Sequence, residues 1–405
     1  MNQNCRHCNC TLNHNFLDLG FSPPSNAYLT KESLSKPELT YPLRLFVCEH
    51  CWLVQTEDFI NADSLFDKDY AYFSSTSKTW LEHAANFAEE IINFQKLDEN
   101  SFVIEVGSND GYFLRNFQNR GIPCLGIEPT SKVASVAKAQ GIDVLETFFG
   151  TKCASSLGKA DLIYGANVYA HVPDINDFTD GIASVLKHDG IAVLEFPHLM
   201  RLVEFVQFDT VYHEHFSYLS LLTVNSIMDK SGLRIFKVEE LNTHGGSLRI
   251  FACKQNANIT SDPSVRSIIQ LERHRGMDTK AFYSNFQHQA ERTKNEGLKF
   301  LIEAKTNSQS VMGYGAAAKG NTFLNFAGIK PDLIQFVCDS AESKIGKFLP
   351  GSHIPILSPD VLFKEPPDHL IIFPWNIASE IKKQLASLVS HGTRFWKFIP
   401  SIEEI

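Results

Sequence analysis

The stretch FVIEVGSNDG, residues 102–111, decides the fold class of this chain. It joins a short apolar strand to a turn that contains glycine, and a helix is predicted to begin at Gly111. Similar apolar strands follow, separated by helical stretches: CLGIE at 124–128, DVLE at 143–146, DLIYGA at 161–166 and IAVLEF at 191–196. Strands that alternate with helices predict an α/β fold whose parallel sheet has helices on both faces.

The sequence that follows adds an edge to this sheet and then a second domain. LRIFKVEEL at 233–241 and SLRIFACK at 247–254 lie close enough to pair as an antiparallel edge. The polar segment 254–264 contains proline and has no apolar periodicity, so we place a domain boundary there. Strand and helix signals resume in VMGYGAAAKGNTFLNFAG at 311–328, which predicts a second, smaller α/β domain.

Composition excludes several classes of protein. The 405 residues are 43% hydrophobic and 20% charged, which is enough to build cores for two or three domains. The formal charge is −9 and there is no basic tract, so nucleic acid is not an expected partner. The chain has no run of about 18 apolar residues and opens with polar residues and cysteines, so we predict a cytoplasmic protein that does not associate with membranes.

Two CxxC pairs near the amino terminus predict a metal site. They consist of Cys5 with Cys8 and Cys48 with Cys51, in a segment with few strand signals. Four thiolates complete the tetrahedral coordination of Zn²⁺ and leave no position for water or substrate, so the predicted zinc is structural. Cys10 offers a fifth thiolate, but the CxxC spacing favours Cys8. A redox CxxC is the alternative, although such a motif normally follows a strand of a thioredoxin-like unit.

The first turn of the sheet is the predicted cofactor site. Glycine allows the backbone to approach a ligand closely, and open parallel sheets bind ligands at the carboxyl ends of their strands. Glu128 ends the next strand, where its carboxylate is placed to accept hydrogen bonds from both hydroxyls of a ribose. The residues assigned to this site are Glu105, Gly107, Ser108, Asn109, Asp110, Glu128, Phe148 and Asn167.

These positions together resemble the S-adenosylmethionine-binding fold, with Phe148 or Phe149 of the ETFF segment near the adenine. The dinucleotide fingerprint GxGxxG is absent, because GSNDG has only GxxxG. NAD is the alternative ligand, and a surface cap is the alternative role of Glu128.

Three further stretches are dense in polar side chains: DYAYFSSTS at 69–77, NVYAHVPD at 167–174 and DTVYHEHFSY at 209–218. With them, the chain resembles the sugar C-methyltransferases that act on nucleotide-linked 4-keto-deoxysugars, the relatives of the tetronitrose and mycarose C-3 methyltransferases. The resemblance runs from the paired CxxC through VGSNDG, AHVPD, YHEH and HGGSLR to GYGAAAKGN. It implies a zinc-binding module at 1–70, a Rossmann-like S-adenosylmethionine domain at 71–254 and a smaller α/β domain at 255–405.

The resemblance also implies a catalytic constellation. In the family, a residue of the YHEH segment removes the proton next to the ketone, and the match points to His215. The constellation comprises Tyr72 of the YFSS segment, His171 of AHVPD, and Tyr212, Glu214 and His215 of YHEH. Tyr70 lies two residues from Tyr72 and is the alternative match.

The chemistry of carbon methylation independently favours a histidine base. A carbon becomes nucleophilic toward a sulfonium methyl only after deprotonation next to a carbonyl, so the enzyme needs a base near neutrality and donors for the enolate oxygen. Histidine, with an unperturbed pKa of about 6.5, meets the first need, and Tyr and His donors meet the second.

Alternatives stay open within the YHEH segment. If it is extended, Tyr212 and Glu214 share one face and His213 and His215 the other, whereas a tight turn would undo that division. Tyr212 is the alternative base. A metal at His213 and His215 is a further alternative, but neither the HExxH spacing nor a third ligand is evident, and we favour a structural role for His213.

The segment GYGAAAKGNT, residues 313–322, follows a predicted strand and opens a helix. Its backbone amides and Lys319 are suited to a phosphate, because helix amino termini favour anions. The resemblance implies that this domain helps to bind the sugar nucleotide, and we assign His244, Lys319 and Asn321 to the substrate. HGGSLR at 244–249 is expected to line the same cleft, with a tight turn between strands as the alternative.

The sequence thus predicts S-adenosylmethionine-dependent C-methylation, at C-3, of a nucleotide-linked 4-keto-6-deoxysugar through an enolate formed by a histidine base. The alternatives are an NAD(P)-dependent sugar-nucleotide reductase and a non-enzymatic zinc-ribbon binding protein. The density of Tyr, His and Glu at 209–218 argues against the second alternative.

Overall fold

The strand at 103–106 lies inside a seven-stranded sheet in the computed structural model, which describes residues 4–59, 75 and 78–405. The strands are β4 (Val103–Val106), β5 (Cys124–Ile127), β6 (Val144–Leu145), β7 (Ala160–Ala166), β8 (Leu186–Pro197), β10 (Leu233–Leu241) and β11 (Ser247–Lys254). Their order is β10-β11-β8-β7-β4-β5-β6. Strands β4 to β8 run parallel, and β11 is antiparallel to both of its neighbours, so the predicted α/β fold and antiparallel edge are confirmed.

Alternation along the strands places apolar side chains on both faces of this sheet. Val103 and Leu162 pack in one buried cluster, and their neighbours Ile104 and Ile163 pack in another. The helices of this part are α1 (Lys78–Gln95), α2 (Arg115–Gln118), α3 (Ser131–Ala139), α4 (Thr151–Ala154), α5 (Ile175–Val185), α6 (Leu199–Glu204) and α7 (Leu221–Lys230). Helix α1 covers the first cluster, while α5 and α7 cover the second.

An antiparallel sheet of four strands forms most of the N-terminal module. Its strands are β1 (His14–Ser22), β2 (Tyr41–Val47), β3 (Val54–Thr56) and β9 (Ser217–Tyr218), in that order. Strand β9 comes from the middle of the chain, directly after the YHEH segment, and pairs Tyr218 with Val54. The N-terminal module therefore holds the chain immediately after YHEH through backbone hydrogen bonds.

The C-terminal domain contains the third sheet, which has five parallel strands and an antiparallel edge strand. The strands are β12 (Val311–Tyr314), β13 (Val337–Cys338), β14 (Ile356–Leu357), β15 (His369–Ile372), β16 (Arg394–Lys397) and β17 (Glu403–Glu404). Their order in the sheet is β14-β13-β12-β15-β16-β17. Its helices are α8 (Pro263–His274), α9 (Lys280–Tyr283), α10 (Phe286–Thr306), α11 (Ala318–Ala327), α12 (Asp360–Lys364) and α13 (Ala378–Gln384). Helix α8 ends just before Gly276, whose φ of 82° favours glycine.

The N-terminal module and the C-terminal domain share one apolar core. Phe16 of β1 stacks on Phe286 of α10, with ring centroids 4.9 Å apart. Short 3-10 turns occupy Ser33–Ser35, Tyr169–His171, Phe208–Thr210, Thr243–Gly245, Trp375–Ile377 and Ala386–His391. Phe208 of the third turn enters the same core beside Phe323 of α11, and this contact places the following YHEH segment between the three parts of the chain. Among the residues described, no helix has the length and apolar character needed to cross a membrane.

Candidate active site

The four cysteines of the two CxxC pairs converge on one point. The Sγ atoms of Cys5 and Cys51 are 3.5 Å apart, those of Cys8 and Cys48 are 3.4 Å apart, and all four lie within 4.8 Å of one another. Around a tetrahedral Zn²⁺ with bonds of about 2.3 Å, sulfur atoms are separated by about 3.8 Å, so this donor set fits a closed zinc site. Cys10 is not a member of this group of four, but it lies beside Cys8 in a second group with His50.

Backbone conformation shapes the loop between β4 and α2. Gly107, Asn109 and Gly111 have φ values of 67°, 50° and 79°, in the left-handed region. A Cβ on Gly107 would lie 3.3 Å from Val168, so glycine permits a close approach of two loops. The amide of Gly107 donates to the carbonyl of Ile127 at 2.8 Å, which fastens this loop to the end of β5.

Glu128 faces the same loop from the end of β5, as the sequence predicts. It is buried, and its two carboxylate oxygens accept hydrogen bonds from the backbone amides of Asn109, at 3.0 Å, and Thr130, at 2.9 Å. Burial raises the pKa of this carboxyl group, and those amide donors oppose the rise. The Thr130 side chain is a third donor to this carboxylate. Since a carboxylate can accept about four hydrogen bonds, capacity remains for a ribose hydroxyl.

Acidic side chains surround the base of the loop. Burial raises the pKa of Glu105 well above its ordinary value, and the carboxylates of Glu128 and Asp110 raise it further, which favours the neutral acid. Asp110 accepts from the amide of Ser75 at 3.2 Å, and its Oδ1 is buried with no hydrogen-bond partner in the described ranges. An unsatisfied buried acceptor beside a glycine turn fits a bound polar cofactor. Ser108 instead packs beneath the loop against Gly126, where a Cβ atom on that glycine would clash with the serine side chain.

Two further predicted cofactor residues lie on neighbouring loops. Phe148 follows β6 and is 43% exposed, which leaves its ring accessible to a ligand. Asn167 follows β7 with a φ of 55°, and its amide Nδ2 lies 3.1 Å from Nε2 of His244. The predicted substrate residue His244 therefore contacts the predicted cofactor residue Asn167.

The YHEH segment forms a tight turn. The amide of His215 donates to the carbonyl of Tyr212 at 3.0 Å, so the division of faces expected for an extended segment does not apply. The ring centroids of Tyr212 and His215 are 4.2 Å apart as a result, and His171 reaches His215 from the loop after β7 at 4.5 Å. The turn brings three of the predicted catalytic residues together.

His215 is a recessed, neutral imidazole. Burial lowers its pKa well below the ordinary value, and the nearby imidazole of His171 lowers it further, while a hydrogen bond to the carbonyl of Thr210 opposes this. The donor in that bond is a ring N–H, so the other ring nitrogen carries a lone pair in the neutral form. The residue retains partial solvent exposure, as a group that meets a substrate requires.

Glu214 is anchored by a residue that sequence analysis missed. Both of its carboxylate oxygens accept from Nδ2 of Asn26, at 2.9 and 3.0 Å. Burial raises the pKa of Glu214 to about 7, and the Asn26 amide opposes the rise. The carbonyl oxygen of Glu214 accepts from Nδ1 of His171 at 2.8 Å, which fixes that ring as well.

His213 has the structural role that the sequence favours. It is buried, and its Nε2 donates to the carbonyl of Pro42 in β2 at 3.2 Å. The groups able to hold a metal in the described part of the chain are the two cysteine groups, and neither His213 nor His215 belongs to them. Tyr72 and its alternative Tyr70 lie outside the described residues, so their predicted role stays a prediction.

Lys319 connects the C-terminal domain to the segment 209–218, which contains YHEH. Its ammonium group lies 4.3 Å above the ring of Trp375 and donates to Oδ1 of Asn376 at 2.8 Å. The indole N–H of Trp375 donates to Asp209 at 2.7 Å. Burial lowers the pKa of Lys319 to about 8 and raises that of Asp209 to about 6, and each charge opposes the shift of the other. A Cβ on Gly245 would lie 2.3 Å from Trp375, so the HGG segment reaches the same cluster.

Asn321 and Arg249 are both held by contacts within the protein. Asn321 is buried and donates to the carbonyl of Ser25 at 2.6 Å, so it joins α11 to the N-terminal module, and its substrate contact stays a prediction. Arg249 does not line the cleft. It is buried and paired with Glu195 at 2.8 Å, because an internal carboxylate requires a compensating cation.

Family models match the chain in three consecutive regions. A "Putative zinc binding domain" matches residues 5–66, a "Methyltransferase domain" residues 80–238, and a "C-methyltransferase C-terminal domain" residues 242–400. C-methyltransferase NovU from Streptomyces niveus is 32% identical over 400 residues, which cover 98% of this chain and 95% of NovU. The chain belongs to the C-methyltransferase family.

Solved methyltransferases resemble less than half of this C-methyltransferase. An S-adenosylmethionine-dependent methyltransferase from Clostridium acetobutylicum is 12% identical and covers 43% of this chain and 92% of its own, with a TM-score of 0.36. One from Archaeoglobus fulgidus is 17% identical, with coverages of 43% and 94% and a TM-score of 0.36. Likeness at this level says nothing about the reaction.

Two cofactors follow for this C-methyltransferase. It uses S-adenosylmethionine as the methyl donor, and its amino-terminal module binds a structural zinc through the four cysteines. The reductase and the non-enzymatic zinc-ribbon protein, the two alternative classes, are therefore set aside.

Sequence analysis also missed a buried group beside the active site. Glu195 accepts from His83 of α1 at 3.0 Å and from Tyr164 at 3.0 Å, in addition to Arg249. Trp80 stacks on His83 and meets His244 edge to face at 5.7 Å. Trp80 and His83 lie in α1, where the sequence shows only the apolar periodicity of a helix. That periodicity does not indicate that His83 contacts Glu195, which is more than a hundred residues away.

Proposed function

We propose that this C-methyltransferase transfers a methyl group to C-3 of a nucleotide-linked 4-keto-6-deoxysugar, with His215 as the base that forms the enolate. The observation that carries the proposal is the grouping of His215, His171 and Tyr212 at the carboxyl end of the cofactor-binding sheet. Such a grouping supplies His215 as an acceptor for the proton and the Tyr212 hydroxyl as a donor for the oxygen that gains charge.

The carbon next to the ketone would lose its proton to His215 and gain a methyl group, and the bond that breaks would leave a neutral thioether in place of the sulfonium. S-adenosylmethionine supplies an electrophilic methyl group when bound. The proton on His215 is then returned to water. Because burial and the neighbouring His171 lower the pKa of His215, the imidazole is neutral before the reaction and able to accept that proton.

The electrostatics of the cleft support an anionic sugar nucleotide. Lys319 lies near the amino terminus of α11, so the ammonium charge and the helix dipole both favour phosphate there. Its field acts on His215 and on His244, which means that the catalytic turn and the phosphate site lie within one electrostatic neighbourhood. A substrate with a phosphate group at one end and a keto sugar at the other suits this arrangement.

The proposal is tested with a panel of nucleotide-linked 4-keto-6-deoxysugars, incubated with S-adenosylmethionine and analysed by mass spectrometry and NMR. We expect a gain of one methyl group on C-3 for a member of the panel. A methyl group on oxygen, or methylation of a carbon not adjacent to the ketone, would refute the enolate mechanism. His215→Asn is the matched control, because it retains size and some hydrogen bonding while it removes the basicity.

A further inference from the structure

We propose that Asn26 of the N-terminal module is a positioning residue of the active site, which holds the Glu214 carboxylate and thereby the catalytic turn. This role rests on the proposed function of that turn. The module that binds the structural zinc thus contributes a side chain to the reaction centre, in addition to stabilising the fold.

The segment that carries Asn26 is fixed on the C-terminal domain. The carbonyl of Ser25 accepts from Asn321 at 2.6 Å, and the hydroxyl of Tyr28 donates to the carbonyl of Ala316 at 2.6 Å. Leu29 exchanges two backbone hydrogen bonds with Phe348, at 2.9 and 2.8 Å. Bonds on both sides of Asn26 leave its backbone little freedom, so its side chain is presented in one direction.

That direction leads to the catalytic turn of the methyltransferase domain. A carboxylate can only accept, so the amide nitrogen of Asn26 must face Glu214, and it lies within 3.0 Å of both oxygens. The turn is held on other sides by the pairing of β3 with β9 and by the bond from His213 to Pro42. Within the described residues, the Asn26 amide is the hydrogen-bond donor that reaches the Glu214 carboxylate, and it joins the N-terminal module to the methyltransferase domain.

The contact also affects the charge of Glu214, because it opposes the effect of burial. Burial favours the neutral acid, whereas an amide that donates to both oxygens favours the carboxylate. The titratable groups that act on or around Glu214 are Tyr28 of the N-terminal module, His171 and Tyr218 of the methyltransferase domain, and the Asp339–Lys344 pair of the C-terminal domain beyond Tyr28. None of these supplies a donor to the carboxylate oxygens in the described structure, so loss of the Asn26 amide leaves the charge unsupported.

The test measures Glu214 directly, in the zinc-loaded full chain without substrate. The infrared band of its protonated carboxyl group is assigned by its absence from Glu214→Gln and followed with pH. In Asn26→Ala and in the near-isosteric Asn26→Leu, we expect the midpoint to move upward by about 1 to 2 pH units, because a hydrogen bond to a charged group is lost. Since no substrate is present, failure here is distinguishable from failure of the proposed function.

Glu38→Ala is the matched control. Glu38 lies in the same module and accepts from His353 and from the amide of Gly351 in the C-terminal domain, but it does not contact Glu214. This variant should loosen the module to a similar degree and leave the Glu214 midpoint unchanged. A midpoint equal to wild type in folded Asn26 variants, or an equal shift in Glu38→Ala, would overturn the proposal.

Activity provides a second readout, and folding a third. With the sugar nucleotide that the panel identifies, the acidic limb of kcat in Asn26→Ala should shift by the same number of pH units, with little change in KM. If Asn26→Ala does not fold, the cause should be the unsupported charge on Glu214, so Asn26→Ala with Glu214→Gln should fold. A double variant that also fails to fold would refute the assignment.

Discussion

The imidazole rings of His171 and His215 meet edge to face, with their centroids 4.5 Å apart and their planes at 76°. Two imidazolium ions at this distance would repel each other, so the pair takes up one proton more readily than two. Burial lowers the pKa of His171 to about 4, and that of His215 also lies well below its ordinary value. Both rings are therefore neutral at pH 7, which is the state that a base requires. Because Nδ1 of neutral His171 already donates to the carbonyl of Glu214, its Nε2 is an acceptor, and the Tyr212 hydroxyl is the donor that this group offers to an enolate.

Metal analysis should find one zinc per chain in protein purified without added metal, because the four cysteines form a closed set of thiolates. Cys5→Ser or Cys48→Ser should lower solubility and thermal stability before it affects chemistry. Cys10→Ser is the matched control and should keep its zinc. Less than about half an equivalent of zinc in a normally folded wild type would contradict the assignment.

Glu128→Ala should weaken S-adenosylmethionine binding by about tenfold or more, since a charge-assisted hydrogen bond to the ribose contributes about 1.5 to 3 kcal/mol. Calorimetry measures this directly. Glu99→Ala removes an exposed carboxylate from the loop before β4 and should leave the affinity unchanged. Wild-type affinity in a folded Glu128→Ala variant would mean that the ribose is bound elsewhere.

The pH dependence of kcat/KM should report Lys319. Its pKa is lowered to about 8 by burial, so the free enzyme loses this positive charge as the pH rises through that value. Affinity for the phosphates of a sugar nucleotide should fall over the same range. In Lys319→Arg the charge persists, because arginine remains protonated, and the alkaline decline should move upward. If the two profiles coincide, Lys319 does not bind the phosphates.

Much of the fold follows from the sequence because its signals are local. Short apolar runs with intervening helices predict the central sheet, and the spacing within CxxC predicts the zinc ligands. The resemblance to a family pointed to the YHEH segment and supported the role of Lys319. Periodicity alone does not distinguish these residues from ordinary polar positions. The structure then shows which of these residues meet.

What the sequence did not reveal depends on pairing between distant segments. Strand β9 has two residues and no periodic signal, yet it completes the sheet of the N-terminal module. Asn26 lies in a proline-containing loop and meets Glu214 across 188 positions of the chain. A charged residue such as Arg249 gives no local sign that its partner is the buried Glu195, so its apparent availability for substrate was misleading.

The central claim is that His215 removes the proton next to the ketone, and isotope exchange tests it most directly. The enzyme is incubated in deuterium oxide with S-adenosylhomocysteine and the sugar nucleotide, so that enolate formation is observed without methyl transfer. Wild type should wash deuterium into the carbon beside the ketone, provided that the proton on the base exchanges with water. His215→Asn should lose this exchange and reduce methyl transfer by about 10² to 10⁴, whereas Tyr212→Phe should retain exchange. If His215→Asn retains the exchange and Tyr212→Phe abolishes it, Tyr212 is the base and the account is wrong.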